Sequence, residues 1–144
     1  MLKRFKGAVK DILTSDSSPM EIASGFGIGI FIGFLPFYGF QTIISVAAAA
    51  LIKRVNKLSL IFATQLFLPF VIPFVVALNF FTGSLLMHGK VSIFKIQDIS
   101  DVFTYFLPIL IGSIPNGILS GFVFGFILYK TIILIRRRNS NEEK

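Results

Sequence analysis

The sequence predicts an all-α, polytopic membrane protein with interrupted helices, and three observations predict this class. Hydrophobic residues make up 54% of the 144-residue chain and charged residues only 15%, whereas soluble domains carry about 25% charged residues. The charges gather in short clusters and leave uncharged runs at 22–52, 58–87 and 102–129. Each run exceeds the roughly 20 residues that cross a bilayer as a helix, and each contains internal glycine or proline.

The basic residues indicate how the chain is oriented. The formal net charge is +7, but Lys and Arg lie at the ends of the apolar runs, which favours membrane lipids over nucleic acid as the partner. They number four in residues 1–21, three in 53–57, two in 88–101 and five in 130–144. Because cytoplasmic segments carry the excess of Lys and Arg, we expect both termini and the 53–57 loop to be cytoplasmic and 88–101 to be external.

Two helix starts are predicted near the N-terminus. Residues 1–16 place apolar residues at helical spacing among four basic ones. This pattern fits a basic amphipathic helix in the headgroup layer, or an ordinary basic flank of the first membrane segment. Ser18, Pro19 and Glu21 have the spacing of a capping box, so a helix is predicted to begin at Pro19.

Segment 22–52 is predicted to break near its centre. As one helix its 31 residues would be about 46 Å long, which exceeds a hydrocarbon core of roughly 30 Å. Pro36 removes a backbone donor, and Gly33 and Gly39 tolerate the dihedrals of a chain reversal. Because basic clusters flank both ends, we expect a re-entrant hairpin or two short helices here.

The remaining apolar segments are predicted to cross the membrane, completing a single membrane domain over 1–144. The crossings are 58–87 and 102–135, and 136–144 forms a cytoplasmic tail. Pro69 and Pro73 are expected to interrupt the first crossing, and the stretch "ILIGSIPNGILSG" at 109–121 is expected to interrupt the second.

Two short stretches resemble each other. Residues 30–36, "IFIGFLP", and 109–115, "ILIGSIP", are identical at four of seven positions. One interpretation is an inverted repeat, in which two broken helices meet near the bilayer midplane. The alternative is a chance match, because Gly, Pro and Ile are common in membrane helices.

The predicted breaks suggest a candidate site. Broken helix ends expose N–H groups and a positive dipole end, which suit phosphate or carboxylate. The candidate substrate-binding residues are Gly33, Pro36, Gly39, Gln41, Thr42, Ser113, Pro115 and Asn116. The alternative is that these polar groups tie helices together by hydrogen bonds.

The residues argue against an enzyme and suggest no metal or cofactor. No Asp, Glu, Lys, Arg or His lies in any of the three uncharged runs, and the single histidine, His88, lies at a segment end. Neither a paired carboxylate nor a cluster of metal ligands is present in the pattern, and cysteine is absent. The missing intramembrane charges also weaken a proton-driven transporter. Gly25, Gly29 and Gly33, with Gly27 between them, predict a surface for close helix packing.

The stretch from Ser18 to Leu60 resembles a bacterial membrane-protein family catalogued as domain of unknown function 2062. The shared pattern is Pro19 and Glu21, then Gly29, Phe31, Gly33, Pro36, Gly39, Gln41 and Thr42, then Ala47 to Ala50, then Arg54 and Asn56. The resemblance continues to about residue 130 with Thr64, Pro69, Pro73 and Gly83, but Leu68 stands where the family has Asn. It implies a small polytopic protein of the bacterial inner membrane without an assigned activity. The Gly–Pro breaks are also distantly similar to the DedA family, although the charged residues of DedA re-entrant loops are missing here.

Two functional hypotheses follow. The broken helices suggest transport or flipping of a small or lipid-linked anion. The glycine faces suggest instead a non-catalytic assembly or anchoring subunit that packs against partner helices, either as a homo-oligomer or with another membrane protein.

Single cysteines introduced into this cysteine-free chain test the orientation with impermeant thiol reagents. A cysteine at Asn56 should be labelled only from the cytoplasmic side and one at Ser92 only from the outside. Labelling of a cysteine at Tyr38 from the outside would mean two full crossings in 22–52 instead of a hairpin.

Overall fold

A computed structural model describes Gly7 and residues 16–66, 71–90 and 99–142, with side chains in the last segment described over 105–138. Within these ranges all regular structure is helical, which confirms the all-α prediction. The helices are α1 (Pro19–Phe34), α2 (Gln41–Leu51), α3 (Lys57–Gln65), α4 (Ile72–His88) and α5 (Ile99–Glu142). The predicted N-terminal amphipathic helix and most of the predicted external loop lie outside the described residues.

The predicted capping box forms at the start of α1. The backbone N–H of Glu21 donates to the Ser18 hydroxyl at 3.2 Å, and the Ser18 N–H donates to the Glu21 carboxylate at 2.8 Å. Pro19 occupies the first helical position, where a backbone donor would have no partner. These three residues confirm the predicted helix start.

The chain breaks between α1 and α2 where the sequence predicted. Leu35 is extended (φ −67°, ψ 138°), as the residue before a proline prefers, so α1 ends at Phe34. Gly39 has φ 95°, a left-handed conformation that a side chain would disfavour. Together Pro36 and Gly39 turn the chain, and α2 begins at Gln41. Helix α1 has 16 residues and is therefore about 24 Å long.

Segment 58–87 is also interrupted. Helix α3 ends at Gln65 and α4 begins at Ile72, with Pro73 in the first turn of α4. Pro69 lies outside the described residues. The segment is therefore two helices, as its prolines indicated.

The predicted break at 109–121 is wrong, because α5 continues through Pro108 and Pro115 for 44 residues. A proline removes one hydrogen bond, but the other bonds of an otherwise apolar helix persist. No residue in α5 has the left-handed conformation found at Gly39. The matching stretches 30–36 and 109–115 consequently differ in conformation, and the described residues contain no inverted pair of broken helices.

Helices α1 and α4 lie along the long helix α5, each antiparallel to it. Ile22 is buried against Ile132, and Phe31 lies beside Gly117, so α1 covers the C-terminal half of α5. On the other half, the rings of Phe80 and Tyr105 meet edge to face with their centroids 5.3 Å apart.

Helix α3 lies beside α1 and runs parallel to it. The Ser59 hydroxyl donates to the Ile22 carbonyl at 2.8 Å, and the Thr64 hydroxyl donates to the Gly29 carbonyl at 3.3 Å. The buried cluster of Ile30, Phe34, Ala63 and Val75 joins α1, α3 and α4. Helix α2 packs mainly on α3. The short helices are therefore assembled around α1 and against α5.

Glycine pairs bring the helix backbones into direct contact. A methyl group at Gly27 would lie 2.7 Å from the Gly121 carbonyl oxygen, and one at Gly121 would lie 2.6 Å from that of Gly27. Gly83 and Gly112 face each other in the same way between α4 and α5. These spacings leave no room for a side chain, as expected for close helix packing.

The predicted packing role of the α1 glycines is confirmed at Gly25 and Gly29. Gly25 lies against the Asn56 carbonyl, and Gly29 lies against Leu60 and Ala63 of α3. The faces are therefore occupied by helices of the same chain.

One helix among the described residues, at Tyr105–Arg138, is long and apolar enough to cross a membrane. Only 17% of its most apolar window is buried. Three further helices, α1, α2 and α4, are apolar but shorter. Large apolar side chains are exposed on α2, α4 and α5, among them Ile43, Phe74, Leu86, Leu119 and Phe122.

Replacing Gly83 with Ala should destabilise the fold, because the added methyl group would overlap the Pro108 carbonyl in α5. We expect a loss of about 1–3 kcal/mol in the free energy of unfolding, as for other overpacked sites, measured by unfolding in detergent. Leu86→Ala on the same helix is the control, since Leu86 is 62% exposed. Equal stability of the Gly83 variant and the control would contradict the close contact.

Candidate functional site

The C-terminal end of α1 is the centre of a polar cluster. A helix leaves its last carbonyl groups without intrahelical partners. Here the Gln41 side-chain amide reaches back across the turn and donates to the Gly33 carbonyl at 3.1 Å and the Leu35 carbonyl at 3.4 Å. Gln41 thus closes the carbonyl end of the helix that precedes it.

A second amide arrives from α4. The Asn79 side chain is fully buried, and its Nδ2 donates to the Phe34 carbonyl at 2.9 Å. A buried carbonyl without a donor would cost about 1–3 kcal/mol. Asn79 therefore supplies a hydrogen-bond donor to the Phe34 carbonyl and links α4 to the end of α1.

A third amide comes from α5. Asn116 Nδ2 donates to Asn79 Oδ1 at 3.1 Å and lies 3.1 Å from the Thr82 hydroxyl oxygen. The Thr82 hydroxyl lies 3.3 Å from Asn116 Oδ1. We call the set of Gly33, Phe34, Gln41, Asn79, Thr82 and Asn116 the hairpin tip.

The hairpin tip is electrically neutral, and its hydrogen-bonding groups are not equally available. On the α1 side, the amides of Gln41 and Asn79 occupy the carbonyl oxygens. On the α2 side, the N-cap residue Phe40 provides no side-chain hydrogen bond to the first N–H groups of α2. A partial positive charge remains at that end of the turn.

The structure brings together three of the eight candidate residues. Gly33, Gln41 and Asn116 belong to the hairpin tip, while Pro36 and Gly39 form the adjoining turn. Thr42 lies on the first turn of α2 and accepts a hydrogen bond from the Gln65 amide at 2.9 Å.

The other two candidates lie within the uninterrupted α5. Ser113 is fully buried and donates to the Leu110 carbonyl of its own helix at 2.7 Å. Pro115 is exposed. Neither contributes a polar side-chain group to the hairpin tip. The helix break that would have exposed backbone groups beside them does not form. Their ligand role stays a prediction.

Three members of the hairpin tip were not among the predicted site residues: Phe34, which contributes its backbone carbonyl, and the side chains of Asn79 and Thr82. Asn79 and Thr82 are three residues apart and share one face of α4. They are two of the few strongly polar residues in this apolar helix. The three-residue spacing of Asn79 and Thr82 could have indicated a polar face on α4. The sequence of α4 does not show that this face contacts the end of α1.

A separate polar cluster holds the starts of α1 and α3 together. The Asn56 side chain accepts from the Ser59 N–H at 2.7 Å and donates to the Ser17 hydroxyl at 3.0 Å, and its backbone N–H donates to the Glu21 carbonyl at 2.9 Å. Asn56 is therefore a structural residue. The exposed Arg54 is accordingly the better position for the labelling cysteine in the 53–57 loop.

The described helices and the neutral hairpin tip define a small all-helical protein, in which one helix is long and apolar enough to cross a membrane. The chain matches the family described as "Uncharacterized protein conserved in bacteria (DUF2062)" over residues 2–141. It belongs to this family, which confirms the resemblance seen in the sequence. No curated protein and no solved structure matches the chain, and the distant likeness to the DedA family is not confirmed.

A double-mutant cycle tests the hairpin tip. Asn79→Ala and Asn116→Ala should each lower stability, and together they should cost less than the sum, with a coupling of about 0.5–1.5 kcal/mol for the shared hydrogen bond. The measurement is unfolding in detergent. The pair Asn79→Ala and Thr131→Ala is the control, because Thr131 bonds only to Ile127 in its own helix turn. Additive effects for both pairs would contradict the contact.

Proposed function

We propose that the protein is a multi-pass protein of the bacterial inner membrane, with cytoplasmic termini, that transports or flips a small or lipid-linked anion beside the turn between α1 and α2. The observation that carries this proposal is the position of that turn. Phe34 lies beside Gly117, near the middle of the apolar stretch Tyr105–Arg138, and not at either end of it.

Exposure of apolar side chains supports the membrane location. A soluble protein rarely exposes apolar patches larger than a few hundred Å². Here exposed residues such as Leu119, Phe122 and Ile127 share the surface of α5 with few polar neighbours. Lipid is the solvent that accepts such a surface.

The lengths of the helices support a hairpin that enters only part of the bilayer. Helix α1 is about 24 Å long, which is less than a core of roughly 30 Å. Alongside α5 it extends from Ile132 to Gly117, and α4 covers the rest. Helices α3 and α4 together make one crossing, and α5 makes the return.

The chemistry of the turn supports an anionic substrate. Non-helical backbone at membrane depth is tolerated where it is buried or lines a wet cavity, and in transporters such breaks form substrate sites. The carbonyl side is closed by Gln41 and Asn79, so the N–H groups at the start of α2 are the backbone groups left to bind a ligand. These groups attract anions.

A non-catalytic assembly subunit is the second candidate. The exposed apolar face of α2, including Ile43, Val46 and Leu51, favours it. Because Gly25 and Gly29 already pack against α3, a partner would bind this face and not the glycines.

Reconstituted liposomes test the transport proposal with two probes, labelled inorganic phosphate and a fluorescent phosphatidylglycerol whose flipping is read by external dithionite. Wild type should move one of them faster than protein-free liposomes. Gln41→Ala should slow that movement about tenfold, because it uncovers the Gly33 carbonyl and loosens the turn. Pro36→Ala should slow it too, by restoring a helix donor at the break.

Thr131→Ala is the control and should retain wild-type rates. Movement of neither probe by wild type would contradict transport of this class. If a partner protein then copurified stoichiometrically and was lost on Val46→Ala, the assembly role would take its place.

A further inference from the structure

An apolar groove runs along the outside of the contact between α1 and α5. Its volume is about 600 Å³, within the range of ligand pockets. Its lining includes Met20, Gly27 and Phe31 from α1 and Gly121, Phe126 and Tyr129 from α5. We call it the α1–α5 groove.

The glycines explain why the groove exists. Gly27 and Gly121 allow the two backbones to touch, so the floor of the groove is bare backbone. Aromatic rings of Phe31, Phe122 and Phe126 stand on both sides of this floor. Nothing in the described chain fills the space between them, and the resulting slot is long, narrow and apolar.

One end of the groove is basic. Lys130 Nζ lies 5.5 Å from the centroid of the Phe126 ring, which lines the groove. Nearly two helical turns beyond Tyr129 and Lys130, Arg136 Nη2 donates to the Ser17 carbonyl at 2.9 Å, just before α1. Arg137 and Arg138 follow it. Acidic residues are also close in sequence, since Asp16 precedes Ser17 and Glu142 and Glu143 follow the arginines. Lys130 is the basic residue that contacts a groove-lining ring directly.

We propose that the α1–α5 groove binds an anionic membrane lipid, with one acyl chain in the apolar slot and the phosphate beside Lys130 and the Arg136–Arg138 cluster. An apolar slot that ends at a basic cluster complements a molecule with a long apolar chain and a negative head. The inference rests on the membrane location proposed above but not on transport, and it concerns a site distinct from the hairpin tip.

Charge also favours a lipid over a second copy of this chain. Copies inserted in the same orientation would bring their basic ends to the same side of the membrane, and like charges oppose that arrangement. The cytoplasmic leaflet supplies the complementary negative charge in its lipids.

The absence of tryptophan from the chain provides a direct experiment. Phe122→Trp places a fluorophore in the groove, where Phe122 is 73% exposed. Phe124→Trp is the matched control, because Phe124 is 50% exposed on the same helix but does not line the groove. Each variant is reconstituted in vesicles of equal parts phosphatidylglycerol and phosphatidylcholine, with bromine quenchers on the acyl chains of one lipid or the other.

For Phe122→Trp we expect quenching to show about fivefold preference for phosphatidylglycerol, as one basic residue near a membrane surface confers. Phe124→Trp should show no preference. Adding Lys130→Gln to Phe122→Trp should reduce the preference, whereas adding Lys57→Gln, which removes an exposed charge at the start of α3, should not.

Three results would contradict lipid binding in the α1–α5 groove. These are equal quenching by both lipids at the groove, an equal preference at the control position, and a preference that survives Lys130→Gln. Weak quenching at the groove with strong quenching at the control would show that protein covers the groove. Absence of quenching at both positions would overturn the membrane location as well, which separates the two failures.

Discussion

The structure depends on one constraint: carbonyl groups freed where a helix breaks among apolar side chains must receive hydrogen-bond donors. Helix α1 ends at Phe34, and its last carbonyls are met by the amides of Gln41 and Asn79. Asn79 can serve this end only if α4 lies against it, and its own oxygen then needs Asn116. A single local break therefore determines how three distant parts of the chain are placed.

Close packing at glycine makes this hydrogen-bond network geometrically possible. Amide side chains are short, so they join helices only when the backbones approach closely. Gly83 and Gly112 provide that approach one turn away from the contact between Asn79 and Asn116. A bulkier residue at either glycine would push the helices apart and break the amide contact, so packing and hydrogen bonding stabilise the same arrangement.

Polarity is divided between two parts of the molecule, and this division shapes both proposals. The hairpin tip contains amides, hydroxyls and backbone groups without ionisable side chains, so it binds through dipoles and hydrogen bonds. The basic residues Lys130 and Arg136 lie instead near the other end of α1. An anion approaching from that end of α1 would meet these charges first. The phosphate end of the proposed lipid site and the proposed transport site are thus about one helix length apart.

Sequence alone determined the helical class, the start of α1 and the break at Pro36, because apolar run length, capping spacing and Gly–Pro chemistry act locally. It could not distinguish Pro36 from Pro115, since "IFIGFLP" and "ILIGSIP" are nearly the same local signal. Tertiary structure decided that difference. Gln41 and Asn79 satisfy the carbonyls freed at the first site, whereas α1 and α4 pack along α5 on either side of Pro115 and keep it helical. The partner of the Phe34 carbonyl lies 45 residues away, and no local pattern reports a contact at that separation.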